Sequence, residues 1–176
     1  MKLMRISSFA FMFVAAMAMC APLSAQSQKI DEATANRFAA AYSEAFVFVQ
    51  QERNCCSGAG DPYALWEASI DRIIAKFKSV GTGGLPQDLA SSWENLRDKH
   101  IAEQQAYRNQ ARFIVKVRAE TPAFRVGLRQ DPRPLLPASR VPEWDALVKA
   151  ADDAGLQAVR SVDAFDKVWS KYFPGR

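Results

Sequence analysis

Cys55-Cys56 is the pair of side chains with the most reactive chemistry in the chain, and it stands just ahead of Ser57-Gly58-Ala59-Gly60. The third cysteine, Cys20, lies in an N-terminal segment that is expected to be removed. Two thiols carried into an oxidising compartment seldom stay free. Neighbouring Cα atoms are ~3.8 Å apart, closer than the ~4.4–6.8 Å of an ordinary disulfide. A bridge between them would therefore be strained and easily reduced, as a redox switch requires. Capture of a soft metal such as Cu(I) is a further option. A plainer alternative buries one or both thiols at a helix end as small apolar groups.

The second constellation is His100, Glu103, Tyr107 and Gln110. Spacings of three and four place them on one side of a helix. They interrupt an apolar stripe that Leu89, Trp93 and Leu96 begin and Ile114 and Val117 complete. Such an interruption marks either a site or a stretch where the helix faces water, with Glu103 near Tyr107. His100 is the only histidine. That excludes a multi-histidine metal centre and a haem with two histidine ligands, and no Cys-x-x-Cys-His run is present. No metal and no cofactor is expected.

The third is a concentration of charge. Arg112, Lys116, Arg118, Arg125, Arg129, Arg133 and Arg140 face only Glu120 and Asp131 over the same stretch. Arginines in a proline-rich loop can present planar donor forks to carboxylates or phosphates. The alternative is a solvated loop whose charges keep it off the core. Arg118, Arg125, Arg129, Arg133 and Arg140 are thus the residues expected to meet a partner's acidic surface.

The elements that must position these groups are helices. The first should run from near Asp31 to Asn54, with Phe38, Tyr42, Ala45 and Val49 on one face. Asp61-Pro62 is a strong start signal, a capping carboxylate followed by a residue that lacks the donor the first turn cannot use. Trp66, Ile70, Ile73 and Phe77 form the stripe of that second helix, which Gly81-Thr82-Gly83-Gly84 ends. A third helix opens at Leu85-Pro86-Gln87-Asp88 and continues to about Glu120, before Thr121-Pro122. Within it Phe113-Ile114-Val115-Lys116-Val117 has the strongest strand character in the chain. Pro122, Pro132, Pro134, Pro137 and Pro142 then impose an extended crossover of about twenty residues, a length that is uncommon and often functional. A fourth helix is expected over 143–154, ended by Gly155, and a fifth near 163–173. The expected fold is all-α, a single helical domain of about five helices.

Before these elements stands a tripartite leader. Lys2 and Arg5 precede an unbroken apolar run from Phe9 to Cys20, then Pro22 and Leu23-Ser24-Ala25. The run falls short of the roughly 20 residues that a spanning helix needs, so residues 1–25 read as a signal peptide and 26–176 as the mature domain. Met17 and Met19 stand where a lipobox would want a Leu-like and a small residue, which disfavours acylation of Cys20. Asn36, Asn54, Asn95 and Asn109 form no Asn-X-Ser/Thr site, favouring a bacterial periplasm over a eukaryotic route.

The formal net charge of +4 includes the two bases of the leader. The mature chain is then only slightly basic, unlike a nucleic-acid binder. No nucleophile elbow, phosphate loop, dinucleotide fingerprint or zinc-protease helix occurs. The expectation is an exported protein that acts by binding another protein, of inhibitor, immunity or accessory type. The competing expectation is a thiol-based redox or soft-metal-handling protein centred on Cys55 and Cys56. An enzyme built on His100, Glu103 and Tyr107 ranks below both.

Overall fold

The computed structural model describes residues 30–52, 61–128 and 130–173. Four α-helices account for most of them: α1 (Glu32–Glu52), α2 (Pro62–Ser79), α3 (Gln87–Glu120) and α4 (Val141–Tyr172). Short 3-10 turns at Arg133–Leu135 and Ala138–Arg140 lie in the crossover before α4. The architecture is a single all-α domain, and no strand occurs among the described residues.

The starts of α1 and α2 follow from their capping carboxylates. Asp31 accepts the Thr34 amide at 2.9 Å, and Asp61 accepts the Tyr63 amide at 2.9 Å with Pro62 in the first turn. Gly84 closes the connection between α2 and α3 in the left-handed region, at φ 83°. A Cβ there would also meet Thr34 Cγ2 at 3.2 Å, so both backbone and space select glycine.

One expectation is corrected. The fourth and fifth helices are one helix, and Gly155 stands in its interior. Glycine costs only about 0.5–1 kcal/mol relative to alanine inside a helix. Continuing α4 keeps Trp144, Ala151, Ala158 and Phe165 buried on a single face, which outweighs that cost. Phe113 to Val117, for all its strand character, keeps to the helix expected there. Phe113, Ile114 and Val117 are buried while Val115 and Lys116 are exposed, a helical rather than alternating pattern.

Helices α3 and α4, each about 50 Å long, run antiparallel as the spine. Their register is fixed by Trp93 against Phe165 (ring centroids 6.1 Å), Gln110 Nε2 donating to Leu147 O (3.3 Å), and Phe113 against Trp144 (5.7 Å). Ion pairs align α2 with α3: Asp61–Arg118 (2.7 Å), Glu67–Arg112 (2.5 Å) and Asp71–Arg108. Glu44–Lys76 (2.6 Å) and Glu52–Arg72 (2.7 Å) join α1 to α2.

The interior divides in two. Phe38, Phe77, Leu89, Trp93 and Phe165 belong to a core that α1 covers. Tyr63, Phe113, Ile114, Val117 and Trp144 belong to a second core, and there the crossover takes α1's place with Phe124, Val126 and Leu136. The crossover is therefore not a loop held off the core by its charges. Trp93 is fully buried and Trp66 half-buried. No helix among the described residues is long and apolar enough to cross a membrane.

Candidate functional site: a polar belt and an anchored crossover

Between the two cores the inward face of α3 turns polar. His100 lies flat on Phe77 (5.5 Å, 11° between planes) and edge-on to Phe46 (5.2 Å). Its Nδ1 is 3.3 Å from Glu103 Oε2, and the Tyr107 hydroxyl donates to Glu103 Oε1 at 3.5 Å. Tyr107 in turn packs near Trp66, at 6.2 Å between ring centroids. Glu103 thus accepts from one residue on the rim of the first core and one beside the second. With its proton on Nδ1, His100 buries only a lone pair at Nε2, which meets no hydrogen-bond partner.

Gln104 (6% exposed) and Gln110 (2%) complete the belt. Across from it, Gly155 leaves room beside Glu103, whose Oε1 would stand 3.5 Å from an added Cβ. The structure therefore brings His100, Glu103 and Tyr107 together, as their spacing implied, but half-buried inside the bundle rather than on a water-facing stretch. The hydrogen bonds of Glu103 run along α3 itself. Among the described residues, no three His, Cys, Asp or Glu side chains converge as metal ligands.

The arginines form a different kind of site. Arg118 Nη1 pairs with Asp61 at 2.7 Å and its Nη2 donates to Val126 O at 2.6 Å. The guanidinium carbon lies 4.7 Å above the Tyr63 ring, and the Tyr63 hydroxyl donates to Gly127 O at 3.1 Å. One arginine and one tyrosine so pin the crossover to the start of α2. Burial pushes the Tyr63 phenol up to about 12, with Arg118 pulling it down and Asp61 up. Arg133 pairs with Asp145 (2.6 Å), and Arg140 with Glu143 (2.9 Å) and Glu120. Arg125 donates to the Phe124 carbonyl at 2.9 Å and to that of Pro122, and meets no carboxylate among the described residues.

The positive surplus counted along 112–140 is thus offset in space by Asp61, Glu67, Glu143 and Asp145 from other elements. Sequence reasoning missed that role for Asp61, reading it only as a cap, and it missed Tyr63 altogether. Cys55, Cys56 and Arg129 lie outside the described residues, as does the leader with Cys20. Comparison with protein-family models, with curated proteins and with solved structures finds no match.

Proposed function

We propose that the chain is exported, that residues 1–25 are removed, and that the mature domain acts by binding another protein through the crossover. The observation that carries this reading is the order of the crossover itself. Segments of this length with no more regular structure than two short 3-10 turns are uncommon in compact domains and often functional. This one is held in place by Arg118, Tyr63 and three buried apolar side chains. A surface fixed before binding avoids the entropic cost of ordering it on contact. The fixed segment presents Leu135, 45% exposed, and Arg125, whose guanidinium the Pro122 and Phe124 carbonyls hold in position. An apolar residue and a cation without a carboxylate suit a partner whose patch is apolar with an acidic side chain at its edge.

The test places a photocrosslinking residue at position 135 in one variant and at position 78, beyond the opposite core, in another. The position-135 variant is expected to capture one partner in the cell envelope, in an adduct whose N-terminal peptide begins at Gln26. Capture from position 78 alone, or an adduct that retains residues 1–25, contradicts the reading.

A further inference from the structure

The two cores share no residue, and among the described residues the second is the smaller, with nine buried residues against twelve. The belt of His100, Glu103, Gln104, Tyr107 and Gln110 lies between them on α3, and Gly155 faces Glu103 from α4. On both spine helices, positions without a large apolar side chain therefore stand near one level. Ile70 and Ile74 of α2, buried but in neither core, supply apolar contact outside the two clusters. The covers of the two cores also differ. A helix of 21 residues with its own ladder of hydrogen bonds covers the first. The second is covered by an irregular segment fixed by Phe124, Val126, Leu136 and the bonds from Tyr63 and Arg118.

We propose that the crossover is a strap, and that it opens as a cooperative unit with the adjoining turns of α3 and α4 while the first core stays closed. Opening costs less where fewer apolar contacts and hydrogen bonds are broken, and units of this kind follow contiguous packing. The belt supplies the boundary, because polar side chains replace apolar ones on the inward face of α3 there, and the bonds of Glu103 stay within that helix. Opening lifts Phe124, Val126 and Leu136 and uncovers the Phe113–Trp144 pair. Opening of this kind does not require a partner on the crossover.

Native-state hydrogen exchange of the full chain in rising, sub-denaturing guanidinium tests it. Amides of residues 111–117 and 144–148 are expected to share one opening, populated at least about tenfold more than that of residues 89–96 and 158–165. Tyr63→Phe keeps the ring under Arg118 and deletes the bond to Gly127. It should speed exchange about fivefold in the first pair of segments and leave the second unchanged. A single opening common to all four segments, or equal acceleration of all four by Tyr63→Phe, overturns the proposal. So does an earlier opening of the first core.

Discussion

Tyr63 and Tyr42 show how much of this molecule's behaviour rests on where a single polar atom is placed. Tyr63 packs in the second core and Tyr42 against Phe165 and Trp169 of the first. Burial pushes both phenols up to about 12 from 10.0, with Asp166 adding to the shift at Tyr42. The protonated form is the one the fold accommodates, so the sign of the linkage is fixed. The stabilisation is complete below pH 10, where the unfolded phenols are still neutral. It is lost as pH rises from 10 towards 12, where the unfolded chain ionises first. Chemical denaturation followed over that interval should show falling stability, with a shallower fall in Tyr63→Phe. A stability that stays flat from pH 10 to 12 would place the two phenols in water.

At the scale of the elements, Gly155 is the position where local and tertiary preferences part. Read alone it ends a helix, yet it lies inside α4 beside Glu103 with no left-handed backbone. The Cβ of an alanine would make only an ordinary contact at 3.5 Å. Gly155→Ala should therefore stabilise the protein by about 0.5–1 kcal/mol. A loss of similar size would mean that α4 breaks there after all.

The same contrast explains what the sequence could disclose. Asp61-Pro62 and the apolar stripes of α2 and α3 are local signals, and they were legible. The clustering of His100, Glu103 and Tyr107 was legible too, since spacing alone puts them on one side of a helix. Their burial was not, because it depends on α1, α2 and α4 closing over them. The partners of the arginines were hidden for a related reason. Asp61 and Arg118 stand 57 positions apart, and no count of charge within a window brings them together. Pairing across that distance turns an apparent basic loop into a nearly balanced surface, with Lys116 on α3 and Arg125 in the crossover meeting no carboxylate among the described residues.

For the molecule as a whole, the asymmetry of its ends matters most. At one end α1 closes a large aromatic core, where Phe38, Tyr42, Trp93 and Phe165 pack ring against ring. At the other, an ordered but irregular strap closes the smaller core and displays Arg125 and Leu135. A binding role assigned to the second end makes a demand the first does not share. Both displayed residues are exposed, so changing them should leave the fold intact. The most direct measurement compares partner retention from the cell envelope by three forms of the protein: unaltered, Arg125→Glu with Leu135→Glu, and Cys55→Ser with Cys56→Ser. The account predicts that the unaltered and serine forms retain the partner, while the glutamate form loses it with its circular dichroism and melting unchanged. Retention by the glutamate form together with loss by the serine form would contradict it, and would move the function from the strap to the adjacent cysteines.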